Sequence, residues 1–262
     1  MIWIVAQLAA AALLAAAGAW SAGRSRGWTT AGCALMLSLI VLKAVVGHIP
    51  AAEPTLFPWD WYPVVEPWWY LLPAMFLLGA GLRIVGRSPW KRHALTAGAV
   101  LLLARTGAAG WVTVRPPELQ GKVLDSAVCL QTSGYSCGAA AASSFCWYYG
   151  VRVTEREMAE RCVTRAGGPG LAGTSDAGLM RGLRQKLSDR YTIHIAQTVY
   201  DDIPTPALVP LEVWPGVGHC VLLWRVDPEL VHILDPRCGR TTLSRKTFEE
   251  MWMGTAIWAA RK

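Results

Sequence analysis

Charge is scarce in this 262-residue chain: Asp, Glu, Lys and Arg make up 16% of it, against 53% hydrophobic residues and 14 tryptophans. A soluble domain over the whole length is thereby excluded, and part of the chain is expected in a lipid bilayer. The chain has no Gly-x4-Gly-Lys-Ser/Thr loop, so it carries no phosphate-cradling ATPase motor. There is no Cys-x-x-Cys pair and the five histidines are scattered, so no zinc site is legible and no cofactor is expected. Basic residues gather in membrane-flanking loops instead of an aromatic-interleaved patch, which argues against nucleic acid as a partner.

The apolar excess is confined to the first 115 residues. Four stretches approach the roughly 20 residues that span a bilayer: Ile2 to Ala22, Trp28 to Gly47, Trp68 to Val85 and His93 to Val112. The first has no basic residue ahead of it and is read as an uncleaved helix. Lys43, near a span end, is expected to snorkel, and Arg105 to be paired or snorkelling in its bundle. Arg24 and Arg26, then Arg83, Arg87, Lys91 and Arg92, mark two basic loops, while the loop from Ile49 to Pro67 carries only Glu53, Asp60 and Glu66. The positive-inside rule makes the basic loops cytoplasmic, so both termini and the C-terminal domain face outward, at the bacterial cell membrane. Phe57, Trp59, Trp61 and Tyr62 of the acidic loop, with Trp68, Trp69 and Tyr70, are read as an interfacial anchor. The expected domains are a transmembrane region over 1–115, a stiff connector over 116–121, and a globular domain over 122–262.

Within that last domain, Cys137 follows a turn-like Ser-Gly-Tyr-Ser and opens a run of small residues that ends at Gly150. A cysteine at a helix N-terminus meets free backbone N–H groups and the positive end of the dipole, which favour its thiolate. Ser136 is placed to cap that helix. Gln131 lies close enough upstream for its amide, with the N–H of Cys137, to face the oxygen of an attacked carbonyl. His219 opens an apolar strand and Asp235 closes the next, so a hairpin would bring them together.

Gln-x5-Cys-Gly-Ala, then Gly-His-x-Val, then Leu-Asp-Pro-x-x-Gly together resemble the C39 cysteine peptidases, papain-like domains that cut leader peptides after a double glycine. The resemblance runs from about Val123 to the C-terminus. It implies Cys137 as nucleophile, His219 as general base and acid, Asp235 as the group orienting His219, and Gln131 as oxyanion donor. It also implies a peptide or protein substrate with small residues such as Gly-Gly before the cut, and a separate transporter as a partner. One departure is Ser136, where the family often has an acidic residue.

Around this constellation, Thr154-Glu155-Arg156-Glu157 reads as a capping box and Thr174 or Ser175 as the cap of a further helix ending near Leu187. Gly167-Gly168 reads as a flexible connector. Strands are expected at Tyr191 to Thr198, Ala207 to Val213, His219 to Val226, Leu230 to Leu234 and Thr255 to Ala260, with a helix from Arg245 to Trp252. Helices followed by an antiparallel sheet make an α+β domain of papain-like layout. Cys146 is read as core, Cys220 as facing away from the catalytic group, and His194 and His232 as structural. An exported domain would also permit disulfides among Cys129, Cys146, Cys162, Cys220 and Cys238. Two other functions fit the same residues: a Cys-dependent acyltransferase of transglutaminase type, or a peptide-binding domain without catalysis.

Overall fold

The structure, a computed structural model, describes residues 2–49, 51–66, 69–85, 88–114, 119–123, 128–166 and 172–262. In chain order the helices are α1 (Ile2–Arg24), α2 (Arg26–His48), α3 (Ala52–Leu56), α4 (Tyr62–Val65), α5 (Leu71–Ile84) and α6 (Pro89–Val114). There follow β1 (Lys122–Val123), β2 (Cys129–Leu130), α7 (Cys137–Tyr148), α8 (Glu155–Arg161), α9 (Asp176–Leu187), β3 (Tyr191–Gln197), β4 (Ala207–Trp214), β5 (Val217–Val226), β6 (Leu230–Asp235), β7 (Gly239–Ser244), α10 (Arg245–Met251) and β8 (Thr255–Arg261). The chain divides into two compact units, one of residues 1–48 and 65–114, the other of 49–64 and 115–262. Trp68, the side chain of Arg105, residues 116–118 of the connector and the Gly167-Gly168 pair lie outside the described residues.

In the first unit, α1 and α5 approach backbone to backbone. A Cβ on Gly79 would collide with the carbonyl of Ala15, and one on Gly18 with that of Phe76, so only glycine permits the contact. Among the described residues one helix, Arg26–Gly47, is long and apolar enough to cross a membrane, with mean hydropathy 2.0. The stretch read as a third span forms the 14-residue α5; at about 1.5 Å per residue it is shorter than the ~30 Å hydrocarbon core. Lys43 does not snorkel: it is buried, with Nζ 3.8 Å from a carboxylate oxygen of Glu66. Removing that charge from solvent is costly without a partner, which the acidic loop supplies.

The second unit takes in residues 49–64, which the hydropathy pattern groups with the membrane region. Arg184 donates to the carbonyl of Pro58 at 2.9 Å and Arg165 to that of Pro63 at 2.8 Å. Tyr62 is not an interfacial side chain: it is fully buried, stacks on Phe57 at 4.7 Å between centroids and hydrogen-bonds the Glu53 carboxylate. Trp59 and Trp61, stacked on each other, stay half exposed.

The body of this unit is a six-stranded antiparallel sheet in the order β3-β8-β4-β5-β6-β7. Both faces are covered, which explains the unbroken buried run from His219 to Leu223 in β5. Cys220 and Leu222 join a core with Phe145 of α7 and Leu183 of α9, while Val221 and Leu223 join a second core under Phe248 of α10. Ala139, Ala140, Ala141 and Ala142 are wholly buried, and their small size seats α7 close against its neighbours. Thr154 caps α8 by accepting from Glu157 N at 3.1 Å, and Ser175 caps α9 by accepting from Gly178 N at 3.2 Å. These helices and this sheet form the papain-like α+β fold. Strand β7 is not among the expected strands; its Gly-Arg-Thr-Thr-Leu-Ser has no apolar run because only alternate residues of this edge strand face protein.

Candidate active site

Cys137 is the first residue of α7. Ser136 does not cap that helix as expected: its buried hydroxyl accepts from Ser133 N at 3.1 Å and donates to Ser133 O at 3.1 Å. The preceding turn absorbs the serine, so the first N–H groups of α7 are left uncapped, and the amide of Gly138 favours the thiolate. A second amide, that of Cys220 in β5, also favours the thiolate. Cys220 does not face away from the catalytic group as expected: it lies in the helix-side core against which Cys137 packs and lines the same cavity, because α7 covers that face of β5.

His219 and Asp235 meet across the β5–β6 hairpin, whose register pairs Leu222 with Leu234. The ring Nε2 donates to Asp235 Oδ1 at 2.8 Å, and the same oxygen accepts from the N–H of Arg237 at 2.7 Å. That leaves Nδ1 for the Cys137 thiol. Nδ1 is buried and has no aligned hydrogen bond in this resting geometry, yet ring and thiol interact; such bonds ordinarily tighten only around substrate. The tautomer is assigned from this network.

Electrostatics follow from the same contacts. Burial opposes the Cys137 thiolate, but the bond to His219, the N–H of Cys220, the charge of His219 and the N–H of Gly138 outweigh it and hold the thiol below its ordinary range. Burial likewise opposes the imidazolium, and Asp235 together with the thiolate overcomes it and raises His219 to about 9. Asp235 is held below the usual carboxylate range, burial being outweighed by His219 and the N–H of Arg237. The two shifts favour passing the thiol proton to His219.

Gln131 is tied to both sides of the site. Its N–H donates to Pro236 O at 2.8 Å, just after Asp235, and its Nε2 donates to Ser133 O at 2.7 Å, just before Cys137. One of the two amide hydrogens is therefore occupied by the turn, and one remains. Behind it Glu155, 1% exposed, accepts from Thr132 N at 2.9 Å and from the Thr132 hydroxyl. Sequence reasoning missed Glu155 and the Cys220 amide. Glu155 looks like any acid in the first turn of a helix, and a backbone N–H has no sequence signal.

All seven cysteines are free, so the disulfides considered for an exported domain do not form. Burial pushes Cys146 up to about 12 and raises Cys162 and Cys220 as well, as befits inert core thiols. His194 stacks on Trp258 and His232 pairs with Asp227 at 2.8 Å, both away from the thiol. A cavity of about 200 Å³ opens beside Cys137 and His219, walled by Leu179, Leu208, Ile257 and Asp176.

Comparison with known proteins adds the following. An uncharacterised protein of Methanothermobacter marburgensis is 30% identical over 143 residues, which cover 53% of this chain and 91% of that protein. One of Methanothermobacter thermautotrophicus is 28% identical over 142 residues, 52% of this chain and 90% of that one. Similar solved structures include the peptidase domain of Streptococcus ComA, a bi-functional ABC transporter involved in quorum sensing, at 19% identity and TM-score 0.44 over 51% of this chain and 96% of that chain. A double-glycine-motif protease of an AMS/PCAT transporter, in complex with its leader peptide, gives 16% identity and TM-score 0.43 over 55% and 96%. Residues 125–262 match the model of the Peptidase C39 family, more than half of the chain, and the chain belongs to that family.

Proposed function

We propose that this chain is a membrane-anchored cysteine peptidase acting on a peptide or protein substrate. The observation that carries the reading is His219 held at Nε2 by Asp235, with its other nitrogen left for a helix-N-terminal thiol of lowered pKa. In this reading the Cys137 thiolate attacks the substrate carbonyl carbon and a C–S bond forms. The carbonyl oxygen becomes negative and is met by the free amide hydrogen of Gln131 and the N–H of Cys137. His219 passes its proton to the leaving nitrogen as the C–N bond breaks. Water then attacks the thioester, giving a proton to His219, and the thiolate departs.

Small residues such as Gly-Gly before the cut are proposed from the family, as is a separate transporter that supplies the peptide. The Arg26–Gly47 helix is proposed as a bilayer anchor, with the other apolar helices beside it and the peptidase unit outside the cytoplasm. Hydrolysis of Gly-Gly peptides by the full chain in detergent, compared with Cys137→Ala, tests the reaction. A new carboxylate supports the peptidase, a new amide from added amine moves the reading to acyl transfer, and full biological activity of Cys137→Ala reduces it to peptide binding. Labelling Cys137 in intact cells with a membrane-impermeant thiol reagent tests the side; no labelling without permeabilisation sinks the outward placement.

A further inference from the structure

We infer that Asp176 makes the site selective for substrates carrying a basic side chain, lysine or arginine, within two residues of the scissile bond. This rests on the peptidase reading and adds a substrate class to it. Asp176 is the first residue of α9 and stands in the wall of the cavity that contains Cys137 and His219. Capping of α9 is already performed by Ser175, whose hydroxyl accepts from Gly178 N. The Asp176 side chain is partly exposed, and among the described residues it has no hydrogen-bond or ion-pair partner.

Three other carboxylates of this unit, by contrast, are engaged. Asp235 holds His219 and the N–H of Arg237, Glu155 holds Thr132, and Glu157 holds Arg161 and Lys186. Asp176 differs in facing a space with apolar walls, Leu179, Leu208 and Ile257. Burial with no compensating charge pushes its carboxyl up to about 6. A carboxylate with no cation beside it, in the wall of the nucleophile's cavity, is open to a charged group brought by the substrate. A cation entering the cavity would restore the missing partner. A cavity of about 150 Å³ holds a benzene molecule, so about 200 Å³ receives one long side chain while its ammonium or guanidinium meets Asp176. The apolar walls suit the methylene stem of that side chain.

The test uses the full chain in detergent and Gly-Gly peptides in which one position at a time, up to two residues either side of the cut, is lysine, norleucine or glutamate. For the wild type, kcat/KM at one position is expected to favour lysine over norleucine by about 10- to 100-fold, the scale of one charge-assisted hydrogen bond, with glutamate below both. In Asp176→Asn the lysine-to-norleucine ratio falls towards one, and Tm does not fall, because the carboxylate holds no partner in the fold. A wild-type ratio near one at every position overturns the inference, and so does a ratio that survives in Asp176→Asn. If no peptide is hydrolysed, the peptidase reading has failed, and the same peptides bound to Cys137→Ala and Cys137→Ala/Asp176→Asn decide the pocket separately. Preference for lysine that is lost with Asp176 supports it; equal affinities overturn it.

Discussion

Oδ1 of Asp235 lies 2.8 Å from Nε2 of His219 and accepts the proton carried there. Fixing that proton on Nε2 keeps the lone pair of Nδ1 available to the thiol, since a neutral imidazole has one donor and one acceptor nitrogen. In Asp235→Asn the amide can present a hydrogen to Nε2, and the tautomer then reverses. The expected result is a fall in kcat on the order of 10²- to 10⁴-fold with KM little changed. Steady-state kinetics on a Gly-Gly peptide checks it, and a fall confined to KM would refute the orienting role.

The pH dependence follows with signs from the two shifts. Cys137 is lowered, so the thiolate persists below the ordinary thiol range, and kcat/KM rises with pH through that lowered value. His219 is raised to about 9, so the imidazolium that protonates the leaving nitrogen is present up to there, and kcat/KM falls above it. A bell with its alkaline limb near pH 9 is expected, and Asp235→Asn should draw that limb to lower pH. An alkaline limb that does not move in the variant would separate it from His219.

Thiol reactivity divides the cysteines in the same way. Cys137 has a lowered pKa, whereas the exposed Cys238 is raised, first by burial and then by the neighbouring Asp235. Because the thiolate is the reacting species, iodoacetamide at about pH 6 should give one adduct on the native protein, at Cys137. Cys238 follows only as the pH rises, and Cys146, Cys162 and Cys220 stay protected until the protein unfolds. Mass spectrometry of the labelled chain reads this directly.

Where the sequence was legible, a local signal and a tertiary role coincided. Thr154 and Ser175 announce α8 and α9 because a cap needs only its own turn, and β5 and β6 announce themselves through apolar runs. Cys137, His219 and Asp235 stand out together because each sits at the end of such an element. Elsewhere the deciding contact is distant in sequence. Lys43 meets Glu66 only after α2 and the loop have packed, and residues 49–64 are held by Arg165 and Arg184 of the C-terminal unit; Ser136 is a local case, drawn from capping by Ser133 of its own turn. The Asp176 carboxylate reads as an ordinary helix-start acid until the cavity beside it is visible.

Gly178 marks where α9 touches the end of α8. A Cβ there would collide with the carbonyl of Cys162, which is backbone and cannot rotate away. Gly178→Ala should therefore destabilise the second unit by about 1–3 kcal/mol. It should also displace the neighbouring cavity wall, Asp176 and Leu179. Chemical denaturation gives the first quantity, and a larger proportional loss of kcat/KM than of folded fraction gives the second. Unaltered stability would mean that the two helices are not packed this closely.

Glu155 is the support beneath Gln131. Its carboxylate takes both the N–H and the hydroxyl of Thr132, while that hydroxyl also accepts from Gly121 N at 2.8 Å. Glu155→Ala would remove the acceptor that holds the Thr132 N–H and hydroxyl; Thr132 is exposed, so water can take over those bonds, and the larger effect falls on the positioning of this segment. The neighbouring residue, Gln131, is the one whose remaining amide hydrogen is proposed to face the developing oxyanion. Loosening it should lower kcat more than it raises KM, because that contact is made in the transition state and not with the bound peptide. Glu155→Gln keeps one acceptor oxygen for the Thr132 N–H and should recover most of kcat. If both variants lose stability alike and neither separates kcat from KM, Glu155 supports the fold alone and Gln131 acts independently of it.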